Sequence, residues 1–497
     1  MMHDGLMNYI GGKWTEASSQ ETFPTTNPAT EEIIALAPRS TADDVDNAVQ
    51  AARSAYKAWR LTPAPRRGEI LFRAAHLLSE RKEELARLMT QEMGKILAET
   101  RGDVQEAIDM AYYMGGEGRR MHGYTAPVEM PNKFGMAMRD SVGVVGLITP
   151  WNFPVAVPSW KMLPALIAGN TVVYKPSEDT PATAAAFVKV FEEAGLPAGV
   201  LNLITGAGDT GAALVANRDV RVISFTGSTE TGLRVYTQAA SLGKKVCLEM
   251  GGKNAILVLD DANLDLAVEA VTWSAFGTTG QRCTATSRLI VQRGIKAKLV
   301  EALEAKARTI KVGYGLDETV NMGPLVNEKA LTKVEKYVEI GRQEGARVIV
   351  GGTRADMGQG YFFMPTLFDQ VRRDMRIARE EIFGPVLSII EVADLDEAIE
   401  ANNEVAYGLS SSIFTENVNA AFRAIRDLTT GIVYINHGTT GAEIQFPFGG
   451  TRGTGNGMRE AGQAALDSFT EWKSVYIDYS GRLQRAQIDT EAILRDS

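Results

Sequence analysis

Between Ser40 and Arg60, apolar residues recur at Val45, Ala48, Val49, Ala52, Tyr56 and Trp59, a spacing that predicts an amphipathic helix opened by a hydroxyl cap at Ser40 or Thr41. The stretch "RRGEILFRAAHLLSERKEELARLMTQEMGKIL" repeats the pattern with charges on the opposite face and a candidate break at Gly94, and "GDVQEAIDMAYYMGG" predicts a third helix. From Val142 the period shortens. "VGVVGLI", "NTVVYKP", "GVLNLIT" and "VRVISFTG" are short β-branched runs separated by helical stretches such as "PATAAAFVKVFEEAG". That alternation predicts right-handed crossovers and a parallel, doubly wound sheet. A second series starts near Ala255, with predicted strands at "AILVL", "SRLIVQ", "ARVIVGG" and "VLSIIEV". The expected fold class is therefore α/β with two lobes. "KFGMAMRDS" and "KSVYIDYS" are strand candidates without an evident partner inside either lobe, the kind of edge that pairs across subunits.

Composition narrows the classes of function. A chain of 497 residues with a net charge of −9 and four histidines offers no basic platform for nucleic acid. Two cysteines make neither a disulfide framework nor a cysteine-based metal site, which suits a reducing compartment and makes the cytoplasm the expectation. The most apolar region, "VGVVGLITPWNFPVAVPSWKMLPALIAG", is interrupted by prolines, Asn152 and Lys161 and does not read as a bilayer span.

Five short motifs could carry chemistry. "SFTGSTETG" places Gly227 and Ser228 where a strand passes into a helix, which favours a phosphate at the helix N-terminus; a plain glycine turn is the alternative. "VVYKPSEDTP" runs a strand into Lys175 and Glu178, and a carboxylate there can accept ribose hydroxyls and repel the extra phosphate of NADP. "TPWNFP" sets Asn152 between Trp151 and Phe153, where its amide could donate to an oxyanion or merely make a turn. In "LEMGGKN", Glu249 precedes a glycine pair, a setting that can raise a carboxyl's pKa and fit it as a general base. "FGTTGQRCTATSR" holds Cys283, which by itself could be core filler; Gly277, Gly280 and Arg282 are poor core residues and point to a cavity. Cys247 has no polar activators nearby in sequence and reads as buried and inert.

As an ordered set, "PWNFP", "KPSE", "FTGSTETG", "LEMGGKN", "GQRC", "EEIFGPV" and "PFGG" resemble the aldehyde dehydrogenase superfamily over nearly the whole chain. The resemblance implies Cys283 as the nucleophile, Asn152 as an oxyanion donor and Glu249 as the base that activates the hydrolytic water. It implies NAD rather than NADP as cofactor, held by Thr149, Trp151, Lys175, Ser177, Glu178, Gly208, Gly227, Ser228, Glu381 and Phe383, and no metal. The implied fold is a Rossmann-like NAD-binding domain at residues 1–124 and 145–247, an α/β catalytic domain at 248–456, and a small β oligomerisation element at 125–144 and 457–497. Such chains form homodimers or homotetramers and take small-molecule aldehydes, with no nucleic acid or membrane partner. "NNEVAYGLSSSIFT" and "TTGAEIQFPFGG" look like the α-aminoadipic semialdehyde (antiquitin) branch, and "GQRCTATSRLIV" looks like α-ketoglutaric semialdehyde dehydrogenases. A carboxylate-bearing semialdehyde is thus the expected substrate, with Glu106, Arg282, Gly441 and Ala442 at its far end. Glu106 could equally be an ordinary helix-surface residue. The alternatives are a CoA-acylating semialdehyde dehydrogenase, which generally lacks the base at Glu249, and a non-catalytic, crystallin-like dinucleotide-binding protein, which tends to lose the nucleophile.

Overall fold

A computed structural model describes residues 5–489. Its architecture is α/β, with two seven-stranded sheets and a smaller three-stranded one. In the first large sheet, Val144–Ile148 is central, and the chain adds Thr171–Lys175 and Leu201–Leu203 on one side before returning to place Val220–Thr226 and Lys245–Glu249 on the other. These five strands are parallel. Asn8–Ile10 and Lys13–Thr15 extend the edge in antiparallel sense. The strand order reverses at Val144–Ile148, and an open sheet leaves a crevice beyond the carboxyl ends of its strands at such a point.

The second large sheet runs Arg347–Val350, Thr366–Asp369, Val386–Val392, Thr286–Gln292, Asn254–Val258, Ser410–Phe414 and Ile432–Ile435, all parallel except the first. Strands such as Thr171–Lys175 and Asn254–Val258 are buried at every position, as parallel strands covered on both faces must be. The predicted strand at "ARVIVGG" is this antiparallel edge. Thr366–Asp369, Ser410–Phe414 and Ile432–Ile435 are additional to the predicted strands: "SSSIF" carries polar residues where buried strands ordinarily do not, and the other two are runs of four residues.

The first predicted helix is Ala42–Leu61, and its cap is Thr41, whose N–H donates to Asp44 Oδ2 at 2.8 Å. The second helical region breaks first at Arg81, between Ala64–Glu80 and Lys82–Met93, and Gly94 ends it at φ +91. There a Cβ would lie 2.7 Å from Pro324 Cγ. The two unpartnered strand candidates pair with each other: Lys133–Ser141 and Thr470–Asp478 run antiparallel in unbroken register from Thr470↔Ser141 to Asp478↔Lys133. Tyr124–Ala126 adds a third strand, so the outer edge of Thr470–Asp478 is left without a strand neighbour among the described residues.

The two large sheets are joined by the short connection Met250–Lys253, between Lys245–Glu249 and Asn254–Val258. It brings the carboxyl ends of the first sheet to the amino ends of the second. Cys283, Gly252 and Phe383 all lie just ahead of second-sheet strands. Among the described residues, no helix is long and apolar enough to cross a membrane.

Candidate active site

Between the sheets lies a cavity of about 1120 Å³ lined by Thr149, Trp151, Asn152, Lys175, Ser177, Glu178, Gly208, Gly227, Ser228, Cys283, Glu381 and Phe383, among others. Twelve residues singled out in the sequence thus share one wall system, on segments that follow four parallel strands of the first sheet or precede strands of the second. The volume is at the upper end of small-molecule sites, which run to about 1,000 Å³, and matches an extended ligand. Glu249 lies behind this lining. Glu106, Arg282, Gly441 and Ala442 are not part of it either.

Cys283 follows a strained turn. Thr278, Thr279 and Gly280 adopt φ values of +52, +58 and +69 in succession, a region costly for β-branched residues. Neighbours over-determine the turn. Glu99 Oε1 accepts from the Thr278 N–H at 2.6 Å, Thr279 Oγ1 donates to the Gly323 carbonyl at 2.9 Å, and Gln281 Oε1 accepts from the Val326 N–H at 3.0 Å. A Cβ at Gly280 would meet the Gly384 carbonyl at 2.2 Å. Beside this turn, Asn254 Nδ2 donates to the carbonyls of Cys283 and Ala285 at 2.7 and 2.9 Å. Burial pushes the Cys283 thiol up to about 12, and the charges of Glu249, Glu381 and Glu460 add to the shift. The resting sulfur therefore holds its proton.

Asn152 is buried and aligned by both its neighbours. Its Nδ2 donates one proton to the Gln281 carbonyl at 3.0 Å, which leaves the second N–H for another acceptor, and its Oδ1 has no partner. Its carbonyl accepts from Lys95 Nζ at 3.0 Å, and Lys95 forms a fully buried ion pair with Asp103 at 2.6 Å. Asp103 Oδ1 also accepts from the Ala156 N–H at 2.6 Å. No local pattern announces this pair, since Lys95 lies in the connection at residues 94–96 and Asp103 inside the helix Leu97–Glu117.

Glu249 is 3% exposed, and neither carboxyl oxygen has a hydrogen-bond partner. Burial holds its pKa well above the usual carboxylate range, and the Glu460 charge raises it further; Lys161 and Arg459 oppose the shift. The "PFGG" motif acquires a physical purpose here: a Cβ at Gly449 would lie 2.5 Å from Glu249 Oε1. Glu460 is itself ion-paired with buried Lys161, whose Nζ also donates to Ser224 Oγ at 3.0 Å.

On the cavity's far wall, Glu381 Oε1 accepts from the Gly252 N–H at 2.8 Å, and Phe383, at φ +59, packs edge-on against Trp151 with centroids 5.7 Å apart. Lys175 is buried, with its amine 3.6 Å from the exposed Glu178 carboxylate. Ser228 caps the helix Thr229–Ser241, its Oγ accepting from the Thr231 N–H. The helix Glu328–Gln343 contributes Lys329, Lys333, Lys336 and Tyr337 to the lining. Sequence reasoning missed this basic face, although its i, i+4, i+7, i+8 spacing was legible.

Arg282 differs from the expected free clamp. Its Nη2 donates to Glu99 at 2.8 Å and its Nε to Thr278 Oγ1 at 2.9 Å, and the guanidinium lies 4.8 Å from the Trp273 ring centroid. Glu106 is partly buried on the helix Leu97–Glu117 rather than on an open surface. Burial, then the Asp103 charge, pushes its carboxyl up to about 8. Gly441, at φ +101, and Ala442 lie in the loop that follows Ile432–Ile435. Cys247 is buried with its thiol pushed up by burial, as its sequence context suggested.

The sequence profile of the aldehyde dehydrogenase family matches residues 14–475. Similar proteins include the α-ketoglutaric semialdehyde dehydrogenase of Bacillus subtilis, 44% identical with 95% of this chain and 98% of the relative covered. The α-ketoglutarate semialdehyde dehydrogenase of Haloferax volcanii is 43% identical over 96% of this chain and 100% of its own. Among solved structures, an NAD+ complex of an aldehyde dehydrogenase from Bacillus cereus superposes with a TM-score of 0.94 at 38% identity, covering 96% of this chain and 97% of that one. Betaine aldehyde dehydrogenase from Staphylococcus aureus in complex with NAD+ also gives 0.94, at 35% identity and 97% coverage of both chains.

The Lys95–Asp103 pair provides a test of how Asn152 is held. Lys95→Met strands a buried carboxylate and is expected to cost about 3–5 kcal/mol, read as a lowered Tm. The double variant Lys95→Met/Asp103→Leu should recover most of that loss, and equal melting of the single variant and the wild type would contradict the role.

Proposed function

Because the chain belongs to the aldehyde dehydrogenase family, we propose that it oxidises a carboxylate-bearing semialdehyde to the acid, with NAD as hydride acceptor. The single observation that carries this reading is the convergence of Cys283, Asn152 and Glu381 on one cavity, with Glu249 buried directly behind it. The residues present fit a dinucleotide: a cavity of about 1120 Å³, a buried Lys175, a capped helix end at Ser228 and three lysines of one helix in the lining. Thr149, Trp151, Lys175, Ser177, Glu178, Gly208, Gly227, Ser228, Glu381 and Phe383 would hold it. When bound, the cofactor supplies the acceptor for the aldehyde's hydride.

The chain's own groups do the rest. The Cys283 sulfur bonds to the aldehyde carbon as the thiol proton is lost to solvent, and the carbonyl oxygen becomes an oxyanion that can accept hydrogen bonds from the free N–H of Asn152 and the Cys283 backbone N–H. Loss of hydride leaves a thioester. Water then attacks its carbonyl, Glu249 takes a proton from that water, and the C–S bond breaks to release the acid and restore the thiol. The presence of Glu249 favours water over CoA as acyl acceptor, and the intact set of Cys283, Asn152 and Glu249 favours an enzyme over a crystallin-like binding protein.

The semialdehyde assignment draws on relatives named for α-ketoglutaric semialdehyde and, at 42% identity, malonate semialdehyde. Glu106, Gly441 and Ala442 are proposed for the side of the site away from the cofactor, with Arg282 shaping that side through its bond to Glu99. We further propose the domain limits 1–124 with 145–247, 248–456, and 125–144 with 457–497, a cytoplasmic location, and self-association as a dimer or tetramer. The open edge of Thr470–Asp478, with Trp472 and Tyr476 exposed, supports the last point.

Two outcomes test the mechanism. Glu249 must lose its proton to act, and its raised pKa means that this happens only as pH rises; wild-type kcat should therefore increase from neutral into alkaline pH. Glu249→Gln should lower kcat by about 10²–10⁴-fold, abolish that rise and leave a single-turnover burst of NADH. A wild-type pH profile retained in the variant would contradict the assignment. Glu178→Gln should narrow the preference for NAD over NADP by about 5-fold, the effect of an exposed charge worth about 1 kcal/mol; unchanged kcat/KM ratios would remove Glu178 from cofactor choice.

A further inference from the structure

One hydrogen bond joins the turn at residues 176–180 to a helix that belongs to the other side of the cavity. Asn327 Nδ2 donates to Asp179 Oδ1 at 3.0 Å, and both residues are part of the cavity lining. Asp179 shares its turn with Ser177 and Glu178, between the strand Thr171–Lys175 and the helix Pro181–Glu193. Asn327 caps the helix Glu328–Gln343, its Oδ1 accepting from the Ala330 N–H at 2.9 Å, and that helix leads into the second sheet at Arg347–Val350. Among the described residues, no other hydrogen bond runs from residues 176–180 to the second-sheet side.

Both ends of this bond are anchored. Thr180 makes no side-chain cap bond to the helix Pro181–Glu193, and buried Glu92 takes that role from another element, accepting from the Ala182 and Thr183 N–H groups at 2.7 Å each. Within the turn, the Asp179 N–H donates to Ser177 Oγ at 3.3 Å. On the other side, Gln281 Oε1 holds the N–H of Val326, the residue before Asn327, at 3.0 Å, and Gln281 lies two residues ahead of Cys283. Asp179 is partly buried; burial raises its carboxyl pKa, and the bond from Asn327 opposes that shift. A bond between two fixed supports sets the distance between them.

We infer that the Asp179–Asn327 bond is a clasp across the cofactor site: it holds the turn that carries Ser177 and Glu178 against the helix that carries Lys329 and Lys333, and so slows departure of the bound dinucleotide. Asp179 and Asn327 are positioning residues, because they act by fixing the neighbours that line the site. This rests on the NAD reading proposed above. Loss of such a contact shows mainly in the dissociation rate, since association varies far less among variants of one site.

Asn327→Ser keeps a helix cap and removes the donor that reaches Asp179, Asp179→Ala removes the acceptor, and the double variant Asp179→Asn/Asn327→Asp reverses donor and acceptor while keeping a cap. Each full-length protein is loaded with NADH and mixed with excess NAD; the loss of bound-NADH fluorescence gives the dissociation rate, and thermal melts check folding. Both single variants are expected to release NADH about 10-fold faster and to raise KM for NAD by about the same factor, with the KM for aldehyde near its wild-type value. The reversed pair should bring release back to within about 2-fold of wild type, a repair that a merely structural loss would not show. Wild-type release rates in both single variants, or a double variant as fast as they are, overturns the clasp. A wild-type protein that neither binds NADH nor reduces NAD refutes the cofactor reading and the clasp together; wild-type binding with unaltered variants refutes the clasp alone.

Discussion

Everything in the site hangs on two glycines between the sheets. A side chain at Gly251 would place its Cβ 2.4 Å from Glu381 Oε2, and one at Gly252 would place it 2.5 Å from the Cys283 carbonyl. With no side chains there, the connection from Glu249 to Asn254 runs close against both groups, and the Gly252 N–H fixes Glu381 at 2.8 Å. Glu249, Cys283 and Glu381 are thus set by one short stretch of backbone. Asn254, at its end, completes the arrangement by holding the carbonyls that flank Thr284.

That closeness has an electrostatic cost. Glu249, Glu381 and Glu460 surround a thiol in a poorly solvated place, and each negative charge disfavours a thiolate there. The same burial favours the neutral acid of Glu249. The resting site is therefore reduced in charge, with protons held on sulfur and on Glu249, and the buried cations Lys161, Lys95 and Arg282 are paired with Glu460, Asp103 and Glu99. A thiol kept protonated is protected from adventitious oxidation and alkylation, which act on the thiolate.

Much of this was legible in sequence, and the limits have physical causes. The βαβ rhythm announced the first sheet, since its strands are continuous β-branched runs, and the strand ends carried the cavity's residues in order. Three strands of the second sheet escaped notice: "SSSIF" lacks the apolar density of a buried strand, and "TLFD" and "IVYI" are runs of only four residues. Cys283 could not be separated from filler by its own segment; its meaning came from Asn152 and Glu249, more than thirty residues away along the chain. Arg282 shows another limit: its pairing with Glu99, on the helix Leu97–Glu117, is one that no local pattern announces.

The central claim is that the resting nucleophile is a thiol suppressed by its surroundings. The rate of Cys283 alkylation by iodoacetamide, followed against pH without cofactor and with Cys283→Ala as the blank, measures this directly. The account predicts a rate that climbs with pH without levelling off through the range around 8.5 where an ordinary cysteine titrates. A plateau at or below that value would show a thiolate already formed at rest and would contradict it.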